Sequence, residues 1–218
     1  MPLFTKKRLL LLCLLPAIFL TACSDNFDPV AYTRAILDLS FQGDIKEALA
    51  VEKEATPEEL ETSYYEFVSN FVEQNITADM QMEDVTQSKF VDLTMNIFSI
   101  LRYNVKAGTK IDSDTYSVEV EVNPIDTFTQ FEKYSQEDAK KIKAKKEAGG
   151  YEGTKEEVEA QVLADIYNHS YELLYTAYTE TKYLEPVTLT LELHKKQEHY
   201  EIKQEDMNEL IREIFCFN

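Results

Sequence analysis

"RYNVKAGTKIDSDTYSVEVEVNPI", residues 102–125, is where the apolar spacing of the chain changes from a helical period to a period of two. In its second half Tyr116, Val118, Val120 and Val122 alternate with Ser117, Glu119 and Glu121. Successive side chains of a strand point to opposite faces, so this spacing predicts a strand with one apolar and one wetted face. "RYNVKA" alternates in the same way, and "GTKIDSD" between the two reads as a hairpin connection. A second unit of this kind lies near the end of the chain. "PVTLTLELH" sends Val187, Leu189, Leu191 and Leu193 one way and Thr188, Thr190 and Glu192 the other. "KKQE" then reads as the turn and "HYEIK" as the return strand. One-sided strands in hairpins belong to antiparallel sheets whose apolar face is covered by helices. The fold class expected is α+β, with about four antiparallel strands in two hairpins.

The helices to cover that face are legible on both sides. "DPVAYTRAILDLSFQG" has Asp28 as N-cap, Pro29 in the first turn and Gly43 as the stop. Asp44 with Glu47, and Thr56 with Glu59, repeat the capping pattern. After Thr56, one helix face carries Leu60, Tyr64, Phe67, Val68, Phe71 and Val72. A helix over about residues 86–102 carries Phe90, Leu93, Ile97, Phe98 and Leu101. The closing "MNELIREIFCF" is helical again, with Met207, Leu210, Ile211 and Ile214 on one side.

Between the two strand pairs lies an insertion, residues 126–182. "GGYEG", 149–153, holds three of the five glycines of the chain and breaks it in two. Before the break, "QEDAKKIKAKKEA" has almost no apolar side chains. After it, Thr154 and Glu157 restart a helix that turns apolar only at Val162, Ile166, Leu173, Leu174 and Ala177. This predicts a helical hairpin with a packed base and a polar tip in solvent. A helix across a curved antiparallel sheet is similar to cystatin-like rolls.

The N-terminus carries a different message. Lys6, Lys7 and Arg8 precede an apolar run from Leu9 to Leu20. That is the layout of a secretory signal, and the run is shorter than the ~20 residues a spanning helix needs. The run ends in Leu20-Thr21-Ala22-Cys23, which resembles the lipobox of bacterial lipoproteins. The resemblance implies a diacylglycerol on the Cys23 thiol, cleavage just before it, and a mature chain from Cys23 onward with residues 24–27 as a short tether. Two acyl chains hold a protein stably where one holds it marginally. The rest then forms one extracytoplasmic domain, 23–218, long enough to bury a core.

The formal net charge is −18, and the leader takes away three basic residues and no acidic ones. So acidic a chain is repelled by nucleic acid phosphates and by anionic lipid, which excludes nucleic acid as a partner and leaves the holding to the lipid. Of three cysteines, Cys13 leaves with the leader and Cys23 is acylated, so Cys216 stands alone in "EIFCFN". Among Ile214, Phe215 and Phe217 it reads as a small buried hydrophobe rather than a nucleophile.

Tyr167, Tyr171, Tyr175 and Tyr178 recur at steps of four, four and three, which places them on one side of a helix. Such a row can stack on sugar rings or anchor a partner protein. With 13 tyrosines and no tryptophan, the chain also uses tyrosine as a packing residue, so core edge is the reading placed ahead of ligand platform. Lys140, Lys141, Lys143, Lys145 and Lys146 make a basic tip that could meet anionic headgroups or wall polymer; a solvated helix balanced by Glu137 and Asp138 is the plainer reading. His194, His199 and Glu198 could form a metal corner, but solvated turn histidines fit better, and His169 is a lone helix residue. Asp112 and Asp114 fit turn chemistry better than calcium. No phosphate loop, nucleophile elbow, zinc helix or paired-cysteine motif occurs, so no catalytic residue, metal or cofactor is assigned.

The expectation is a lipid-anchored binding or interaction module, not an enzyme, for an envelope protein or carbohydrate ligand. It is placed on the extracytoplasmic face of the membrane, with a Gram-positive surface favoured. A surface hydrolase working through carboxylates on wall or sugar substrates, and a structural accessory subunit, are the competing readings.

Overall fold

The computed structural model describes residues 27–51, 55–77, 84–196 and 199–217. The leader, the lipobox and Cys23 therefore lie outside the described residues. Within them the fold is α+β, with seven helices and one antiparallel sheet of four strands. The strands are β1 (Arg102–Lys110), β2 (Thr115–Asn123), β3 (Val187–Lys196) and β4 (His199–Ile202), in the spatial order β1-β2-β3-β4. The helices are α1 (Pro29–Leu37), α2 (Lys46–Val51), α3 (Pro57–Asn75), α4 (Asp84–Ser99), α5 (Thr127–Glu147), α6 (Lys155–Thr179) and α7 (Gln204–Ile214).

The two hairpins are joined into one sheet by β2 and β3. Val122 stands opposite Val187, Val120 opposite Leu189, Val118 opposite Leu191 and Tyr116 opposite Leu193. Every inward residue of one strand thus meets an inward residue of the other. A slip of one position would bury Glu119 and Glu121 instead, which pins the register. Val118, Val120, Val122, Leu191 and Leu193 are fully buried, each contributing about 1.5–3 kcal/mol by leaving water.

β1 is paired differently. Val105 faces Val120, but Gly108 faces Val118, so Lys106 and Ala107 share the place opposite Glu119. This bulge turns Gly108 toward the helical layer. A Cβ there would lie 2.7 Å from Pro29 Cγ, so α1 can seat its first turn against the strand only because the position is glycine. The start of α1 is as expected: the Asp28 carboxylate accepts from the Val30 and Ala31 amides, both at 3.0 Å. Its end adds a single π-helical turn, Asp38–Gln42, before Gly43 stops it in the left-handed conformation at φ 64°.

The core gathers phenylalanines from four helices. Phe71 of α3 lies 5.0 Å from Phe98 of α4, and Phe215, just past α7, lies 5.1 Å from Phe98 and 5.2 Å from Phe128 of α5. Offset and edge-on rings at these separations add to the area they bury. The predicted helix over 86–102 is shorter at its end than its spacing suggests: α4 stops at Ser99, the Leu101 amide closes back on Phe98, and the chain turns into β1. "GTK" belongs to β1 rather than to the connection, because Gly108, Thr109 and Lys110 all pair with β2. The remaining turn is Ile111–Asp114, where the Asp114 amide donates to the Asp112 carboxylate at 2.8 Å. That is an Asx turn, in line with the reading of those aspartates.

β2 and β3 are adjacent and antiparallel, and the chain between them is α5 and α6. The pair packs its base on the core through Phe128, Phe131, Leu174 and Ala177. Further out, α5 is tied to α6 through Asp138 with His169 and Lys145 with Asp165, and to the C-cap of α6 through the Tyr134 hydroxyl, which donates to Glu180 at 2.6 Å.

Candidate functional site

The tyrosine row lies on α6, whose start is set by a reciprocal capping box. The Glu157 amide donates to Thr154 Oγ1 at 3.3 Å and the Thr154 amide donates to the Glu157 carboxylate at 2.7 Å. The four rings do not share one environment. Tyr171 meets Phe90 edge-on at 5.6 Å and, with Tyr178, packs against the core. Tyr167 is half-buried. Tyr175 is 51% exposed, with its ring 6.4 Å from that of Tyr178. Leu163, one helical turn before Tyr167, is 48% exposed and extends the row outward. The stripe is core edge at Tyr171 and Tyr178, and an open aromatic and aliphatic strip at Leu163 and Tyr175.

The five lysines lie on the exposed outer half of α5. Lys145 is tied down: its ammonium sits 2.8 Å from the Asp165 carboxylate and 4.2 Å from the centre of the Tyr151 ring. The Tyr151 hydroxyl donates to the same carboxylate at 2.7 Å. Those two hydrogen bonds, that from Lys145 first, hold Asp165 below the ordinary carboxylate range, and the same contact raises Lys145. Lys143 reaches Glu147 at 3.8 Å, an exposed pair of small energetic weight. Among the described ion pairs, the acids that meet these lysines are Glu147 and Asp165, while Asp138, on the same helix, meets His169. The tip also has an apolar kernel, Ile142 at 6% and Tyr151 at 8% exposure. It is thus not wholly polar.

The histidines depart from expectation. His169 is not a lone residue; its Nδ1 lies 2.9 Å from the Asp138 carboxylate, stitching α6 to α5. His194 stands opposite Glu201 and His199 opposite Lys196, so the two imidazoles do not confront each other. His194 is part-exposed and contacts Glu192 at 3.3 Å, whereas His199 is buried, with Nε2 3.0 Å from Glu201. His199 is therefore no solvated turn residue. Glu198 lies outside the described residues. No group of three or more metal-ligating side chains occurs among the described residues.

Cys216 is also placed differently from expectation. Phe215 and Ile214 go into the core, and the chain then takes a left-handed turn at Cys216, φ 54°, leaving its thiol only half-buried. Burial still pushes that thiol up, away from the reactive thiolate.

Two features, one at each end of the sheet, escaped the sequence reading. One is the neck where α5 and α6 leave the sheet: Ile125 bridges Tyr183, and the Leu184 amide donates to the Pro124 carbonyl at 2.8 Å. The other is Phe27, assigned to the tether but stacked on Tyr200 at 3.9 Å and tilted against Tyr116 at 5.2 Å. Alternation marks Tyr116 and Tyr200 as strand residues, and nothing local links them to position 27.

No helix among the described residues is long and apolar enough to cross a membrane. No family model matches the chain, and no curated protein matches it. Among solved structures, one from Bacillus subtilis subsp. subtilis str. 168, named as a "putative lipoprotein (ycdA)", matches 84% of this chain at 16% identity and a TM-score of 0.50. The match covers 54% of that protein, so this chain spans about half the length of its structural neighbour. At that identity, the α+β fold is what the two have in common.

Proposed function

We propose that the protein is a lipid-anchored, extracytoplasmic, non-catalytic interaction module, held at Cys23 and presenting the outer face of α6 to an envelope protein or carbohydrate. The observation that carries this reading is the open strip on α6, with Leu163 and Tyr175 each about half exposed on a helical hairpin that projects from the sheet. Wide apolar rings with a polar hydroxyl suit contacts that form and dissociate in water. The leader and Leu20-Thr21-Ala22-Cys23 support the anchor, on a Gram-positive surface or a comparable outer face. A cystatin-like roll is a proposed likeness, supported by α1 packing across β1 and β2.

A photo-crosslinking residue at Tyr175 in the acylated protein on intact cells tests the surface, with the same residue at Glu119 on the wetted sheet face as control. A discrete adduct from position 175 alone is expected. Equal labelling from both positions, or none from 175, removes the reading. For the anchor, Cys23→Ala should yield unprocessed precursor or released protein. Membrane-bound protein of mature mass would refute it.

A further inference from the structure

Resting on the anchor at Cys23, we propose that the turn end of the sheet faces the bilayer, with the Ile111–Asp114 turn as the lipid-contacting edge and the helical hairpin held on the far side. Phe27 is the fixed point. Its ring stacks on Tyr200 and leans on Tyr116 and Tyr32. The Tyr32 hydroxyl donates to the Tyr200 carbonyl, which locks α1 to β4 at the same place. Tyr116 pairs with Lys110 at the last rung of β1 and β2, and Tyr200 pairs with Lys195 next to the end of β3 and β4. Phe27 therefore lies under the end of the sheet where both turns are.

Only three residues, 24–26, separate Cys23 from Phe27, which makes four steps from one Cα to the next. Fully extended, they reach at most ~14 Å. The anchor cannot hold the turn end further from the headgroups than that. The neck at Ile125 and Tyr183 lies at the opposite end of β2, roughly 25–30 Å away at ~3.4 Å per residue.

The chemistry of the turn end suits a membrane surface. Ile111 is 60% exposed at the head of the turn, a large apolar side chain with water around it. Lys110, Lys195 and Lys196 are exposed beside it, and Lys196 is paired with Glu201. Among the described residues the other titratable groups at this end are Asp112, Asp114, Tyr116, Glu192, His194, His199, Tyr200 and Glu201. An apolar side chain among snorkelling lysines matches the boundary between headgroups and acyl chains. The basic tip of α5 is then turned away from lipid, and its partner, where it has one, lies further out in the envelope.

The test uses the acylated full chain in vesicles carrying a headgroup nitroxide, with Cys216→Ser as background and a fluorophore at Ile111→Cys or Lys143→Cys. Quenching at position 111 should be at least about twice that at 143, and amides 111–115 should exchange more slowly on vesicles than in detergent. Equal or stronger quenching at 143 overturns the orientation. Flotation of the same vesicles separates the two ideas: protein that floats leaves the anchor standing whatever the quenching shows, and protein that fails to float removes the anchor and the orientation together.

Discussion

Asp126 and Lys182 hold each other across the neck of the insertion. The Asp126 amide donates to the Lys182 carbonyl at 3.2 Å, and the Lys182 amide donates to the Asp126 carboxylate at 2.8 Å. Asp126 stands at the N-cap of α5, where an aspartate ordinarily caps its own helix. Here its carboxylate instead bridges to the far strand end and receives the Gln130 side chain at 3.2 Å. Thr127 and Thr181 add a hydroxyl pair at 2.6 Å just inside. Asp126→Ala leaves the Lys182 amide without its acceptor, which should cost about 1–2 kcal/mol. The urea midpoint should fall, and exchange at the Lys182 amide should rise more than at Val120. Asp126→Asn keeps an acceptor and should recover most of the loss.

The outer half of the hairpin depends on charge. Asp165 is depressed by the hydrogen bonds from Lys145 and Tyr151, so its stabilising effect is present above its unfolded pKa of ~3.9 and is lost as pH falls through its lower folded value. Lys145 is raised, so its share is present below its unfolded ~10.4 and is lost only as pH climbs through a higher folded value. Both conditions hold at neutral pH. Limited proteolysis near Gly149–Gly153 should therefore accelerate below about pH 4, before the sheet unfolds. In Asp165→Asn the cleavage should be fast at pH 6 and change little on acidification.

Gly43 is the stop of the first helical segment, and its conformation is required. Its φ is 64°, and a Cβ there would lie 2.6 Å from Tyr64 Cε1. That ring is partly buried and packs against both hydrophobic clusters, so moving it aside gives up packing, and the same burial pushes its hydroxyl up to about 12. Gly43→Ala combines a left-handed backbone with a clash, and should cost about 1–3 kcal/mol. A thermal melt should show the midpoint lower by several degrees, with little change from Gly149→Ala, whose Cβ meets nothing within 4 Å, beyond the backbone cost.

The fold was readable wherever one residue type repeated at one period. Val118, Val120 and Val122 announced β2, and the face from Leu60 to Val72 announced α3, because burial imposes that spacing directly. Thr56 with Glu59 and Thr154 with Glu157 marked helix starts for an equally local reason. The contacts that place the site are not local. Phe27 finds Tyr200, and Pro124 finds Leu184, through tertiary packing that no spacing encodes. Ile142 and Tyr151 were hidden because a single apolar residue in a lysine run gives no period. Lys106 and Ala107 look like continued alternation, and only the pairing with β2 reveals the bulge.

Tyr171 and Tyr175 are one helical turn apart on the same face, yet should answer substitution in opposite ways. Tyr171 is held edge-on by Phe90, so Tyr171→Ala removes packing at the core edge and should cost about 2–3 kcal/mol, less than a fully buried aromatic. Tyr175 is half in water, and Tyr175→Ala should stay within about 0.5 kcal/mol of the parent in urea. A surface built for contact makes the second variant the informative one. Tyr175→Ala together with Leu163→Ser should keep the parent melting profile while losing most of the crosslinked adduct seen from a neighbouring probe at Thr179. A double variant that retains the adduct would mean that the strip is only the outer margin of the core. Tyr171→Phe controls for the hydroxyl: stability should be kept, because what Tyr171 supplies at that position is its ring against Phe90.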